Sequence, residues 1–152
     1  MDDFSTAQRT PNAYGLNGQG EANAVAPGKR MLSSMTPTLV LRDGKAWIAT
    51  GSPGGSRIIT AVLQNIVNIV DHGMNIAEAN AAPRFHHQWL PDALEHERGF
   101  SPDTLAALRA LGHQPKPANA MGSVQSVARE GDRFFGAPDP RRPGAGAFAA
   151  GD

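Results

Sequence analysis

The sequence predicts an α+β fold with an antiparallel sheet. Two segments, 39–48 and 123–137, carry alternating apolar residues on both sides of a two-residue Asp/Gly turn, which is typical of β-hairpins. The stretch between them shows the apolar spacing of helices instead. Hairpin, helices and hairpin in that order favour antiparallel strands with helices packed on the sheet.

The first hairpin is the more clearly marked of the two. Leu39 and Leu41 alternate before Asp43-Gly44, and the apolar run resumes at Trp47. Asp-Gly suits a turn in which both residues need a positive φ.

The strongest helix is predicted to begin at Ile58 and to stop before Gly73. Its apolar residues recur at i, i+3 and i+4, and they are Ile58, Ile59, Val62, Leu63, Ile66, Val67 and Val70. This stripe is wide, so we expect the helix to be buried on more than one side.

Two further helices are indicated by their ends. A short helix over 76–81 is broken before Pro83, because the residue before a proline avoids the helical region. Ser101-Pro102 supplies the N-cap and first turn of a helix that runs through Leu111.

Composition limits the classes of function. The chain has 152 residues, enough for one domain with a core, and its 14 basic and 14 acidic residues balance, so no nucleic-acid or anionic-membrane partner is indicated. It has no cysteine, which excludes disulfides, thiolate metal sites and a cysteine nucleophile within these residues. No apolar run approaches the ~20 residues of a membrane span.

Residues 1–34 differ from the rest of the chain. They hold few large apolar side chains and keep neither helical nor strand periodicity. Loops of more than about 12–15 residues in compact domains are usually functional or disordered. We therefore divide the chain into a loop region, 1–34, and a sheet-and-helix core, 35–152.

A glycine-rich turn, "GSPGGS" at 51–56, leads into the strongest helix. It lacks the Lys-Ser/Thr of a phosphate-binding loop and the G-x-G-x-x-G of a dinucleotide site. Two readings stay open: glycine merely permits a tight turn, or adjacent N–H groups at the helix start stabilise an oxyanion in acyl transfer.

Three other groups of polar residues are candidates. Ser33-Ser34 precedes a strand, where hydroxyls either close a turn or donate to a carboxylate. Asp2 and Asp3 are solvated loop charges by default. His86 and His87 are adjacent and therefore point apart on a strand, so packing and hydrogen bonding are favoured over a metal site.

Taken in order along the chain, these motifs resemble one known family. The segments are "MDDFS", "PGKRMLSSMTPT", "TGSPGGSRI", "APRFHHQWLPD", "GFSPDTLAALRALGH" and "MGSVQSV". They closely resemble the C-terminal part of the small subunit of gamma-glutamyltransferases, also called glutathione hydrolases. The resemblance implies an N-terminal-nucleophile hydrolase with an αββα sandwich, matured by autocleavage into a large and a small subunit.

The resemblance also implies roles for particular residues. Gly54 and Gly55 match the glycines whose N–H groups form the family's oxyanion hole. Ser33 and Ser34 match the serine pair that binds the α-carboxylate of the γ-glutamyl donor, and Asp3 matches the aspartate that binds its α-amino group. Tyr14 matches the tyrosine of a lid loop over the donor pocket.

The family nucleophile is a threonine in a Thr-Thr segment upstream of the motif that contains Met1, and no Thr-Thr pair occurs in these 152 residues. We therefore expect a chain that lacks the nucleophile and the N-terminal strands of the sandwich, is inactive alone, and exposes Leu39, Leu41 or Trp47. The implied partners are a γ-glutamyl substrate such as glutathione, the large subunit and the N-terminal part of the small subunit. No cofactor or metal is implied, and bacterial family members are mostly periplasmic or secreted.

Two alternatives to the enzyme remain. The glycine turn and Ser33-Ser34 would also suit a small-anion-binding module without chemistry. A non-functional gene remnant is the other alternative.

Overall fold

The computed structural model describes residues 4–5, 14 and 21–148. The chain divides into two compact units, Met1–Met35 and Thr36–Asp152. In the first unit the regular structure described is a 3₁₀ turn, Glu21–Asn23. The second unit holds strands β1 (Thr38–Arg42), β2 (Lys45–Gly51), β3 (Phe85–His86), β4 (Leu94–His96), β5 (Pro115–Pro117), β6 (Gln125–Glu130) and β7 (Arg133–Ala137), and helices α1 (Ile58–Val70), α2 (Ile76–Ala81) and α3 (Pro102–Ala110).

The main sheet has the strand order β1-β2-β6-β7, and every pairing in it is antiparallel. Asp43 and Gly44 both have positive φ, 52° and 73°, as the two-residue turn requires. The second hairpin turns at Gly131, also at positive φ. Both predicted hairpins and the α+β class are therefore confirmed.

Helices α1 and α2 cover one face of this sheet. The core between them includes Ile48 of β2, Ile69 of α1 and Ile76 of α2, together with Ala79, Ala128 and Ala137. Ile59 and Leu63 on the other side of α1 are each at least half exposed. Thr60 and Gln64 of α1 also form hydrogen bonds with His86 and Phe85 of β3, so α1 contacts both the main sheet and β3, as expected, while the part of its apolar stripe with Ile59 and Leu63 stays exposed.

The helix ends follow the sequence signals. Asn75 caps α2 in a capping box with Glu78, and the Ser101 hydroxyl accepts a hydrogen bond from the Thr104 N–H at the start of α3. In the described chain no helix is long and apolar enough to cross a membrane.

The opposite face of the main sheet is apolar and open. Leu39 is 69% and Leu41 62% exposed, as expected. Trp47 is half-buried instead, because it packs against the core that includes Ile48, and the Arg42 guanidinium lies 3.2 Å from its ring centroid.

A second sheet, β3-β4-β5, was not predicted. Its strands have only two or three residues, too few to show a periodic pattern. Strands β4 and β5 are parallel, which departs from the expectation of antiparallel pairing alone.

Four charged side chains, three of them buried and the fourth, Arg141, 13% exposed, lie beside this second sheet. The Arg84 guanidinium is 2.8 Å from the Asp139 carboxylate, and both side chains are almost fully buried. Arg141 pairs with Glu97 and also with Asp139. We call these four residues the ion network. Buried charges persist only where they are paired and hydrogen-bonded, and here two guanidinium groups neutralise two carboxylates.

The ion network also holds backbone of the 121–124 loop. Glu97 Oε1 accepts a hydrogen bond from the Met121 N–H at 2.6 Å, and Arg84 Nη1 donates to the Met121 carbonyl at 2.7 Å. Asp139 Oδ2 accepts from the Val124 N–H at 2.6 Å. The loop is therefore anchored at both ends by charged side chains.

The environment shifts the pKa of all four groups. Burial alone would raise the pKa of Glu97, but hydrogen bonds from Arg141, Met121 and Arg84 outweigh it and hold the pKa below its usual value. The pKa of Asp139 is likewise lowered, against the effect of burial, by hydrogen bonds from Arg141 and Arg84. Burial lowers the pKa of Arg84, whereas the two carboxylates outweigh burial and raise that of Arg141.

Replacing Glu97 by alanine should destabilise the second unit by about 3–5 kcal/mol, because it leaves Arg84 and Arg141 with Asp139 as their one remaining counter-charge in the ion network. Glu95, two residues away on β4, pairs with Arg57 at a half-exposed position, so Glu95→Ala should cost at most about 1 kcal/mol. The measurement is urea unfolding of the two variants beside the parent chain. Equal losses in both variants would contradict the structural role of the ion network.

The ion network predicts acid sensitivity. Because the pKa values of Glu97 and Asp139 are lower folded than unfolded, their stabilisation is complete above the ordinary carboxyl range and is lost as the pH falls through the folded values. The urea midpoint should therefore drop steeply between about pH 5 and about pH 3. In Glu97→Gln that drop should be shallower, and a midpoint constant over this range would contradict the assignment.

Candidate functional site

The glycine turn lies between the end of β2 and the start of α1. Gly54 has φ +146° and Gly55 φ +59°, both in regions that residues with a side chain rarely adopt. Gly55–Arg57 form one 3₁₀ turn that leads directly into α1. Glycine is therefore required at these positions by backbone geometry.

The turn presents backbone N–H groups at a helix start. The Arg57 N–H donates to the Gly54 carbonyl, and the Ile58 N–H donates to the Gly55 carbonyl. Within residues 21–148, no oxygen accepts a hydrogen bond from the Gly54 N–H. The positive end of the α1 dipole adds to the attraction for an anion here.

A cleft of about 500 Å³ opens beside Gly54. Its walls include Arg57, Glu95, Asn119 and Gly122. Arg57 Nε lies 2.9 Å from Glu95 Oε2, and this pair is half-exposed at the wall. The glycine turn therefore faces a polar space large enough for a small molecule.

The first unit holds a hydroxyl pair of its own. The Tyr14 hydroxyl lies 2.9 Å from Ser34 Oγ, and Ser34 is buried. Ser33 is exposed, and its Oγ accepts a hydrogen bond from the Met35 N–H at 3.3 Å. The two adjacent serines therefore differ: one is packed against a tyrosine, and the other is open to solvent.

The predicted site residues fall into three groups. Gly54 and Gly55 lie together in the second unit, and Ser33, Ser34 and Tyr14 lie together in the first. Asp3 lies outside the described residues.

The histidines have structural contacts, as predicted. His86 is buried between the Thr60 hydroxyl and the Gln88 side chain, and His87 lies 3.1 Å from Asp92. In the described ranges no group of three or more metal-ligating side chains is assembled.

Sequence reasoning missed the residues that support the turn. Ser52 and Gly122 are in contact although they are far apart in sequence, and the ion network behind them joins four separate positions. An arginine or glutamate without periodic context gives no signal that it will be buried.

Comparison with known proteins gives consistent results. The family profile of Gamma-glutamyltranspeptidase matches residues 1–149. The glutathione hydrolase proenzyme of Escherichia coli K12 is 61% identical over 142 residues, which are 93% of this chain and 24% of that protein. That of Pseudomonas sp. A14 is 48% identical over 153 residues, 93% of this chain and 26% of that protein. This chain spans about a quarter of the length of these curated relatives.

Solved structures of similar proteins have the same fold as this chain. A mutant gamma-glutamyltranspeptidase of Helicobacter pylori matches with a TM-score of 0.86 and 49% identity, over 93% of this chain and 78% of that one. The enzyme of Pseudomonas nitroreducens complexed with L-DON matches with a TM-score of 0.84 and 38% identity, over 98% and 79%. A profile match over nearly every residue, with the same fold in solved relatives, leads to one conclusion. The chain belongs to the gamma-glutamyltranspeptidase family, whose members are N-terminal-nucleophile hydrolases.

Proposed function

We propose that this chain supplies the oxyanion hole and part of the donor pocket of a glutathione hydrolase. The reaction is cleavage of a γ-glutamyl amide and transfer of the γ-glutamyl group to water or to an amino acid or peptide. The observation that carries the proposal is the Gly54-Gly55 turn, which opens a helix beside a polar cleft in a chain of this family.

The chemistry of acyl transfer suits that turn. When a nucleophile attacks the γ-carbonyl, its oxygen becomes negative, and donors already in place lower the energy of that state. Gly54 and Gly55 would offer their N–H groups to the oxygen at the positive end of α1. Peptide N–H groups do not titrate, so this stabilisation would not depend on a side-chain pKa.

The donor's α-carbon end would be held by the first unit. An α-carboxylate needs donors, which the Ser33 and Ser34 hydroxyls provide, and an α-ammonium needs a carboxylate, which Asp3 provides. Tyr14 contacts Ser34 and would fix the orientation of that hydroxyl. These groups recognise the substrate away from the bond that breaks.

The nucleophile would come from outside these 152 residues. In this class it is an N-terminal threonine whose own amine acts as the base. No Thr-Thr pair like that of the family is present in the sequence, and Thr36 and Thr38 are internal. The chain would therefore act only together with the family's large subunit and the upstream part of its small subunit.

A graft tests the proposal. Residues 1–152 replace the matching quarter of the Escherichia coli relative, which brings its own nucleophile and large subunit. Release of p-nitroaniline from γ-glutamyl-p-nitroanilide by the purified graft supports the proposal, and the chain alone should release none. Turnover by the chain alone would overturn the assignment of the nucleophile to another segment.

In the graft, Gly55→Val should lower kcat by roughly 10²–10³ and change KM little, because an oxyanion donor acts mainly in the transition state. Gly44→Val is the matched control. Both glycines have positive φ and open space around an added Cβ, so both substitutions strain the backbone by about 1–2 kcal/mol. Only Gly55 belongs to the proposed site. A Gly55→Val enzyme with the parent kcat, or an equal loss in Gly44→Val, would refute the oxyanion assignment.

Ser33→Ala combined with Ser34→Ala should weaken donor binding by roughly 1–3 kcal/mol, since a carboxylate would lose its donors. The loss should appear in KM for γ-glutamyl-p-nitroanilide and should vanish for an analogue that lacks the α-carboxylate. Asp3→Asn should show the same pattern for an analogue that lacks the α-amino group. Equal losses for the parent substrate and its analogues would show that these residues do not bind those groups.

A further inference from the structure

The Ser52 hydroxyl joins the glycine turn to a loop that is distant in sequence. Its Oγ accepts a hydrogen bond from the Ser123 N–H at 2.9 Å and donates to the Pro53 carbonyl at 2.7 Å. One side chain therefore ties the residue just before Gly54 to the 121–124 loop. The hydroxyl uses its one donor in the bond to Pro53 and one of its two acceptor positions in the bond from Ser123.

Glycine is required on both sides of this contact. A Cβ on Gly122 would lie 2.5 Å from Ser52 Oγ and 3.0 Å from the Pro53 carbonyl oxygen. A Cβ on Gly54 would lie 3.4 Å from the Gly122 Cα. The backbone at Gly122 therefore lies close to the turn, with the Ser52 hydroxyl filling the space that a side chain at Gly122 would need.

The 121–124 loop is itself fixed from behind by the ion network. Glu97 and Arg84 bind the Met121 backbone, and Asp139 binds the Val124 N–H. Met121 and Val124 are almost completely buried, so the loop is packed as well as hydrogen-bonded. The turn is thus connected to a rigid anchor through the contact of Ser52 with Gly122 and Ser123.

From these contacts we propose that Ser52 and Gly122 are positioning residues for the oxyanion hole. They hold the turn so that the Gly54 and Gly55 N–H groups keep one fixed direction before substrate arrives. The inference rests on the proposed function of that turn. Oxyanion stabilisation depends on donors that need no reorganisation, and a displacement of about 1 Å can cost as much as 10²-fold in rate.

The first measurement compares kcat and KM of Ser52 variants in the graft. Ser52→Ala should lower kcat roughly 10–100-fold with KM nearly unchanged, because the turn loses its alignment and not its donors. Ser52→Thr keeps a hydroxyl and should recover most of the lost rate. Ser101→Ala is the control: it removes a serine that caps α3, costs about 1 kcal/mol of stability, and should leave kcat unchanged.

A double-mutant cycle tests the contact itself. Gly122→Ala should lower kcat at least as much as Ser52→Ala, since its Cβ would displace the Ser52 hydroxyl. Combining the two should be little worse than Gly122→Ala alone, because both act on one contact. Additive losses would show that the two residues act independently, and would overturn the proposal.

The second measurement does not require activity. Amide hydrogen exchange of the 152-residue chain should be faster at Ser123 in Ser52→Ala than in the parent or in Ser101→Ala, because the Ser123 N–H loses its acceptor. If Ser52→Ala leaves both kcat and exchange unchanged while Gly55→Val still lowers kcat, the positioning role is overturned and the proposed function stands. If Gly55→Val leaves kcat unchanged, both the positioning role of Ser52 and the proposed function of the glycine turn are contradicted.

Discussion

The pairing of two buried carboxylates with two guanidinium groups, one buried and one largely so, is the constraint on which the rest of the second unit depends. Glu97, Arg84 and the pair Asp139 and Arg141 come from three separate places in the sequence, and each of the four also binds backbone atoms of a neighbouring segment. Such a cluster is stable only as a whole, because removing one member leaves a buried charge without compensation. It therefore fixes the ends of the second sheet, the end of α2 and the 121–124 loop in one arrangement.

That arrangement bears directly on the glycine turn. A catalytic group made of peptide N–H donors has no side chain through which its direction can be set, so its direction must come from the backbone around it. Positive φ at Gly54 and Gly55 lets the chain make the turn, and the contact with Gly122 limits where the turn can go. The two glycines allow the backbone conformation that the turn needs, and contact with the 121–124 loop restricts that backbone to one position.

Family membership and chemistry rest on different parts of the molecule. The family is established along nearly the whole chain, by motifs and by fold. The proposed chemistry needs only a few groups: two N–H donors in the second unit, hydroxyls and a carboxylate in the first, and a nucleophile from another segment. A chain that spans about a quarter of its curated relatives can therefore match the family along nearly its whole length and, in the proposed function, still depend on other segments for the reaction.

The sequence alone determined the elements whose cause is local. The turn at Asp43-Gly44, the capped start of α3 at Ser101 and the long apolar stripe of α1 each depend on neighbours within a few residues, so they could be read directly. The motif resemblance likewise singles out Gly54, Gly55, Ser33 and Ser34 as candidate site residues, and their roles stay predictions. Only the tertiary structure decided which side of α1 is buried, that two- and three-residue strands form a second sheet, and that Ser52 meets Gly122. These features depend on pairs of residues far apart in sequence, whose free energy exists only once the chain has brought them together.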